Sequence, residues 1–228
     1  MFEKDVRQNF NIDLTEAQVK KFQIYFSFLI EYNEITNLTR ITEEKDVYYK
    51  HFYDSISLCK TLDMNEISTM CDMGAGAGFP SIPLKILFPN LKITIIDSLG
   101  KRITFLKKLI ELLNFDHVNL IYDRIENYAH KNREQYDLVT ARALGKLPII
   151  LELGMPMVKL HGLFVAYKSS HYDDELGSAQ AAIKILGGKL NRINEIELPY
   201  DYGNRSHIVI EKASETPSVY PRAFAVIK

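Results

Sequence analysis

The chain has 228 residues, 46% of them hydrophobic, so it can bury an ordinary core, and the length predicts one domain or one domain with an appendage. Its 28 basic and 29 acidic residues give a net charge of −1, which leaves no basic excess to hold nucleic acid by bulk electrostatics. Any nucleic-acid partner must therefore be held by a local basic patch.

Several features place the chain in the cytoplasm and give no sign of a metal. Residues 1–10 contain four charged residues and no apolar segment of the kind found in signal peptides, and no apolar run is long enough to span a bilayer. We therefore expect a soluble, cytoplasmic protein with no membrane partner.

Two cysteines, Cys59 and Cys71, cannot form a disulfide framework or a four-thiolate site. The histidines show no ligand spacing, so we expect no metal; those considered are His117, His130, His161, His171 and His207.

The first 62 residues indicate a helical extension. Thr15 followed by Gln18 matches a capping box, and apolar residues then recur at helical spacing to about Tyr32. A second helix is expected over 42–62, where Glu43 and Glu44 favour the positive end of a helix dipole.

From residue 63 to 212 the pattern predicts a doubly wound α/β domain. Strands are expected at 67–72, 91–97, 117–122, 136–141 and 163–168, and helices at 80–88, 101–114, 125–131, 147–160 and 172–186. Two further strands, 192–198 and 207–212, flank a turn and predict an antiparallel hairpin. The expected fold is a mostly parallel seven-stranded sheet, followed by a tail, 213–228, in which Tyr220 and Phe224 are candidates for docking.

A glycine-rich loop, from Asp72 to Phe79, follows the first strand and opens a helix. Its glycines, Gly74, Gly76 and Gly78, allow a tight turn and close approach of the backbone to a ligand. The dinucleotide fingerprint needs a further glycine where this chain has Phe79, and Asp72 would repel a pyrophosphate. A cationic sulfonium cofactor tolerates that carboxylate, so the loop favours S-adenosylmethionine over NAD.

Asp97 ends the second strand, where nucleoside-binding folds use a carboxylate to accept hydrogen bonds from the ribose. Either aspartate alone is as well explained by a helix cap or a solvated loop. Together with the three loop glycines, the pair indicates a nucleoside cofactor and a class I (Rossmann-like) methyltransferase.

The chain resembles the bacterial GidB proteins, guanine-N7 methyltransferases of 16S ribosomal RNA, over nearly its whole length. The motifs that carry the resemblance are Asn37-Leu38-Thr39, His51-x-x-Asp54-Ser55, 72–83, Asp97-Ser98-Leu99-Gly100-Lys101-Arg102, Arg124-x-Glu126, Thr140-Ala141-Arg142-Ala143, Lys168, Arg205 and Tyr220-Pro221-Arg222. Ser81 and Ser169 stand where the family usually has glycine, and the tail after Arg222 departs from the family pattern.

The resemblance implies two groups of site residues. Those expected at the cofactor are Gly74, Phe79, Ile125, Glu126 and Arg142. Those expected on the RNA side are Asn37, His51, Arg124, Arg142 and Arg205. Lys168 also lies near the cofactor edge of the sheet, and Lys101 and Arg102 begin a helix that is either an RNA-facing patch or a solvated face. The implied partner is 16S ribosomal RNA or the small ribosomal subunit, and a monomer is favoured.

Guanine N7 loses no proton on methylation, so the reaction needs no general base, and Arg142 is expected to position the guanine. A class I methyltransferase for a small molecule or protein, and a non-enzymatic nucleotide- or RNA-binding module, remain alternatives.

Overall fold

The computed structural model describes residues 1–170 and 172–227, so His171 and Lys228 lie outside the described residues. The chain begins with helices α1 (Phe2–Phe10), which the sequence did not predict, and α2 (Glu16–Thr36). The capping box at the start of α2 is confirmed: Gln18 N donates to Thr15 Oγ1 at 3.3 Å, and Thr15 N donates to Gln18 Oε1 at 2.9 Å.

The prediction of one helix over 42–62 is wrong. The segment divides into α3 (Glu44–Val47), a π-helical turn (Tyr48–Tyr53), α4 (Asp54–Ile56) and a 3-10 turn (Ser57–Lys60). In the π turn the Asp54 amide donates to the Tyr49 and His51 carbonyls. The Lys50 carbonyl, which an α-helix would use for that amide, instead accepts from Arg142 Nη2 at 2.6 Å.

Seven strands form one sheet within the described residues. They are β1 (Thr69–Met73), β2 (Lys92–Asp97), β3 (Val118–Tyr122), β4 (Tyr136–Arg142), β5 (Val158–Ser169), β6 (Gly188–Glu197) and β7 (Asn204–Lys212). Their order is β3-β2-β1-β4-β5-β7-β6. The first five are parallel and β7 runs antiparallel to β5 and β6, which confirms the predicted sheet with its antiparallel hairpin.

Helices connect the parallel strands, as predicted. They are α5 (Ser81–Leu87), α6 (Gly100–Leu112), α7 (Ile125–Lys131), α8 (Leu147–Gly154) and α9 (Asp173–Ile185), and a short α10 (Phe224–Ile227) ends the chain. The helix predicted over 147–160 is too long: α8 stops at Gly154, a 3-10 turn around Pro156 follows, and β5 already begins at Val158. No helix in the described part of the chain is long and apolar enough to cross a membrane.

The core has two parts, one on each face of the sheet. The N-terminal helices share one of them with the sheet, since Phe22 and Tyr25 of α2 belong to the same buried cluster as Ile95 of β2. The other lies beneath α8 and α9, around Leu151, Phe164 and Ile183. The N-terminal segment is therefore packed directly against the methyltransferase-like sheet, beside the carboxyl ends of its strands.

Candidate active site

Three adjoining cavities lie along the carboxyl edge of the parallel strands, where ligands bind in doubly wound folds. We name each after one lining residue. The Asp97 cavity, of about 310 Å³, is lined by Gly74, Ile96, Asp97, Ser98, Arg102, Arg124, Ile125, Glu126, Leu144, Gly145, Ile149, Ile150, Leu153 and Phe224. The His51 cavity, of about 230 Å³, is lined by Leu38, Thr39, His51, the loop residues Gly74, Ala75, Gly76, Ala77 and Phe79, and Arg102, Arg142, Ala143 and Leu144. The Arg205 cavity, of about 340 Å³, is lined by Asp54, Arg142, Ala143, Gly145, Tyr167, Lys168, Ser169 and Arg205.

The glycine loop adopts the backbone that only glycine adopts without strain. Gly74, Gly76 and Gly78 have φ values of 66°, 61° and 100°. A Cβ on Gly78 would lie 2.7 Å from Ile82 Cγ1, whereas a Cβ on Gly76 would meet nothing within 4 Å. Gly78 is thus required by packing. Gly76 faces open space and lines the His51 cavity, so packing alone does not require a glycine there.

Asp97 lies at the end of β2 with both carboxylate oxygens engaged at the cavity wall. Oδ1 accepts from Leu99 N at 2.9 Å, and Oδ2 accepts from Gly76 N at 3.3 Å and from Arg102 Nη1 at 3.1 Å. The carboxylate therefore links the glycine loop to α6, and Oδ1, which accepts one hydrogen bond, retains a lone pair for a ribose hydroxyl. This donor and acceptor set fits a nucleoside.

Asp72 does not face the cavities, contrary to the expectation that its charge would act on the cofactor directly. It is fully buried beneath the loop, where it accepts from Ser81 N at 3.1 Å and from Thr140 Oγ1 at 3.0 Å. Burial raises the pKa of its carboxyl to about 7. Its role here is to fix the start of α5 against β4.

Arg142 lies between the His51 and Arg205 cavities, at the end of β4. Its Nη2 is 2.7 Å from Asp54 Oδ2, 2.6 Å from the Lys50 carbonyl and 3.3 Å from His51 Nδ1. Within the described residues its Nε and Nη1 make no hydrogen bond, so donors remain for a ligand in either cavity. Arg205 Nε lies 3.3 Å from Asp54 Oδ1, so the buried Asp54 carboxylate holds both arginines.

His51 is held as a neutral imidazole. Its Nδ1 faces the guanidinium of Arg142 and must accept, so Nε2 carries the hydrogen and donates to Thr39 Oγ1 at 3.0 Å. Burial and the nearby Arg142 charge lower the pKa of His51 to about 3. The ring stacks on Phe79 at 4.4 Å between centroids, and Tyr25 also stacks on Phe79 at 5.5 Å.

The N-terminal helices hold the loop from above. Tyr25 Oη donates to the Ala77 carbonyl at 2.5 Å. Asn33 Oδ1 accepts from Leu38 N and Thr39 N, which fixes the segment that carries Thr39 to the end of α2. Asn37, predicted on the RNA side, is exposed and caps α2 with a φ of 46°, outside the lining of the three cavities.

The predicted basic residues lie around these cavities, and most are paired with carboxylates. The pairs are Arg102 with Asp97, Arg124 with Glu126, Lys168 with Glu175 and Arg205 with Asp54. Lys101 is exposed and its Nζ donates to the Thr36 carbonyl at 2.9 Å. The sequence analysis gave no site role to Asp54 or Thr39, although both lay within the quoted motifs, and it named Phe224 only as a candidate for docking the tail.

Among the described residues, no three His, Cys, Asp or Glu side chains come together as metal ligands would. The doubly wound sheet, the glycine loop and Asp97 define the class of the protein: a class I methyltransferase, which uses S-adenosylmethionine. Solved structures of this fold are similar. The M. jannaschii TYW2 in complex with AdoMet has a TM-score of 0.52 at 18% identity, over 63% of this chain and 67% of that one. An rRNA methylase from Streptococcus thermophilus has a TM-score of 0.50 at 16% identity, over 71% and 95% of the two chains.

The sequence comparisons are more specific. The model of the family described as "GidB: rRNA small subunit methyltransferase G" matches residues 18–208, and the chain belongs to this family. Ribosomal RNA small subunit methyltransferase G of Bacillus subtilis (strain 168) is 48% identical over 92% of this chain and 89% of that protein. The protein of the same name from Staphylococcus carnosus (strain TM300) is 50% identical over 94% and 91%.

Proposed function

We propose that this protein transfers a methyl group from S-adenosylmethionine to N7 of a guanine in 16S ribosomal RNA, in the small ribosomal subunit or an assembling form of it. Family membership supports the reaction and the RNA. The observation that carries the site assignment is the position of Arg142, with free donors at the junction of the His51 and Arg205 cavities. The reaction takes place in the cytoplasm, where ribosomal subunits are assembled.

The cofactor side is formed by the Asp97 cavity and the glycine loop. Asp97 accepts hydrogen bonds from the ribose, Ile125 and Glu126 line the wall at the end of β3, and Gly76 leaves the loop backbone open to the ligand. When bound, S-adenosylmethionine supplies a methyl group on a sulfonium, which is already an activated leaving group. Phe79, which stacks with both Tyr25 and His51, fixes the loop where it lines the His51 cavity.

The acceptor side is suited to a nucleophile that needs no deprotonation. His51 offers its Nδ1 lone pair to Arg142 and is neutral, and Asp54 is held between two arginines. Both groups face arginine guanidiniums, so neither of these described side chains serves as a general base, and guanine N7 requires none. Orientation must supply the catalysis, which it can do by about 7–11 kcal/mol in well-aligned systems.

Arg142 is proposed as the residue that orients the guanine. A guanidinium donor can bind guanine O6 and leave the N7 lone pair directed at the methyl group. Asp54, Lys50 and His51 fix the guanidinium plane, so little side-chain freedom is lost when the base binds. In this scheme residues 1–62 serve the acceptor side, residues 63–212 form the cofactor-binding domain, and 213–228 form the tail.

The RNA is proposed to contact Asn37, His51, Lys101, Arg102, Arg124, Lys168 and Arg205, which surround the openings. The charged and polar lining of the Arg205 cavity favours RNA over an apolar small molecule.

The decisive test is to incubate the protein with methyl-labelled cofactor and small-subunit particles that lack the modification, and to map the label. Label at one guanine N7 is expected. Label on a protein or small molecule, with none in RNA, would favour the alternative class I methyltransferase, and no transfer at all would favour a binding module.

A further inference from the structure

The C-terminal segment returns to the Asp97 cavity and contributes a residue to its lining. This segment lies beyond residue 208, where the match to the family model ends. Phe224, at the start of α10, lines that cavity together with Arg124, Ile125 and Glu126. Its ring is half-buried against the core beneath α8. The wall of the cavity is therefore completed by a residue far from the glycine loop in sequence.

The segment is held in place by two arginines. Arg222 binds Glu152 of α8 through three hydrogen bonds: its N and Nε donate to Oε1 at 2.9 and 2.8 Å, and its Nη2 donates to Oε2 at 2.7 Å. Arg133 donates to the Tyr220 carbonyl at 2.7 Å and to the Thr216 carbonyl at 2.5 Å. A bidentate guanidinium–carboxylate pair specifies geometry as well as energy, so Phe224 is presented to the cavity from a fixed base.

The sheet order shows which part of a nucleoside would meet Phe224. The ribose is expected at Asp97, at the end of β2, and the glycine loop follows β1 on one side of it. The base must then extend to the other side, towards the end of β3, where Ile125 and Glu126 begin α7. Phe224 stands at this end of the cavity, where its ring faces the Arg124 guanidinium, 5.4 Å from the ring centroid.

We propose that Phe224 is a cofactor-binding residue, forming the aromatic wall against which the adenine of S-adenosylmethionine packs, and that the anchored segment 213–227 is part of the cofactor site. Arg124, tied to Glu126 and lying over the same ring, then serves the cofactor wall as well as the RNA side. The proposal rests on the proposed cofactor, and it assigns a binding role to a segment outside the matched family span.

The test measures S-adenosylhomocysteine binding to full-length protein by calorimetry. Removal of a base-stacking aromatic ring weakens binding, and Phe224→Ala should weaken it about 10-fold, which is roughly 1.4 kcal/mol. Phe224→Tyr should bind as the wild type does, and Phe224→Leu should be intermediate. Val226→Ala is the matched control, because Val226 lies in the same short helix and is 61% exposed. Thermal melting of every variant shows whether weaker binding results from the missing aromatic ring or from unfolding of the protein.

Hydrogen exchange gives a second measurement that does not depend on turnover. S-adenosylhomocysteine should slow exchange of the 220–227 amides in the wild type and in Val226→Ala, and should slow it less in Phe224→Ala. Wild-type affinity in Phe224→Ala and Phe224→Leu, with no ligand-dependent protection of the segment, would overturn the inference while leaving the cofactor assignment intact. Failure of the wild type itself to bind S-adenosylhomocysteine would instead refute the proposed function.

Discussion

Arg142 joins a structural task to the proposed catalytic one. Its guanidinium compensates the charge of Asp54, whose side chain is 1% exposed. Its remaining donors face the His51 and Arg205 cavities, where the guanine is proposed to bind. We expect Arg142→Ala to lower the methylation rate by about 100-fold, the scale of a misplaced reactant. It should also lower the free energy of unfolding by about 1–3 kcal/mol, because among the described residues Asp54 then keeps only Arg205 as an ion-pair partner.

Arg142→Lys separates the two tasks. An ammonium still compensates Asp54, so most of the stability should return, but it cannot reproduce the planar fork that orients a base. Denaturant melts and methylation assays on the same preparations give both quantities. A lysine variant that methylates RNA at the wild-type rate would show that Arg142 acts only by supporting Asp54.

His51 predicts how the reaction depends on pH. The pKa of the imidazole is lowered to about 3, so His51 stays neutral throughout the usual assay range. Because N7 has no proton to lose, the turnover rate at saturating substrates should show no inflection from a base between about pH 6 and 8.5. Single-turnover rates measured across this range test the expectation.

Asp72 provides the control for that profile. Its folded-state pKa of about 7 lies above the ordinary aspartate value of 3.8, so the folded protein favours the neutral carboxyl and loses stability as the pH rises through about 4 to 7. Asp72→Asn should remove this loss, together with any small inflection of the rate near pH 7 that a shifting loop causes. An inflection that survives in Asp72→Asn would reveal a general base and contradict the mechanism.

At the scale of elements, two glycines of the loop are expected to be needed for different reasons, Gly78 for packing and Gly76 for ligand binding. Alanine at either Gly76 or Gly78 places a Cβ in the left-handed region, at a cost of about 1–2 kcal/mol. Gly78→Ala adds a clash with Ile82 and should lose more stability than Gly76→Ala. Gly76→Ala should fold but bind S-adenosylhomocysteine at least about 10-fold more weakly, because its methyl group occupies the loop opening. Melting and calorimetry of the pair decide the point; normal binding by Gly76→Ala would place the cofactor elsewhere.

The loop, Asp97 and the sheet could be predicted from the sequence because their signals are local. The glycine turn directly follows one short apolar strand, Asp97 directly ends the next, and the alternation of strands and helices determines the sheet. The contacts around Phe79 could not be predicted from such local signals. The stack of Tyr25, Phe79 and His51 joins α2, the loop and the π turn, which are distant in sequence.

The segment over 42–62 shows why local periodicity failed at the acceptor side. Helical spacing of apolar residues predicts a continuous helix, but a π turn changes the register by one residue. The gain is tertiary: the Lys50 carbonyl becomes available to Arg142, and Asp54 reaches the same guanidinium. The tail is a second instance, because its position depends on Arg222 and Glu152, which are 70 residues apart.

At the scale of the whole molecule, a net charge of −1 gives little overall attraction to RNA, and the ion pairs in the structure reduce the number of cations available to phosphates. Four of the five cations predicted near the cofactor edge are already paired with carboxylates, so each must exchange or share that partner when a phosphate approaches. Lys101 is the exception: within residues 1–170 and 172–227 its partner is the Thr36 carbonyl and no carboxylate. Electrostatic attraction to RNA should therefore be modest, and shape and splayed bases must supply affinity, which favours a folded particle over naked RNA as substrate.

Salt dependence measures this attraction directly. Each phosphate contact to single-stranded RNA contributes about 0.7 to the slope of log affinity against log salt, so three to five contacts predict a slope of roughly −2 to −4. Lys101→Glu should reduce particle binding and make the slope shallower by about 0.7, since one contact is lost. Reversing Arg102 as well would place a second carboxylate beside Asp97 and disturb the cofactor, so the single variant is the better probe. Lys107→Glu, exposed in the same helix, makes the same change of net charge farther from the cavities and should have little effect. A slope near zero, or equal losses in the two variants, would show that α6 presents only a solvated face to the RNA.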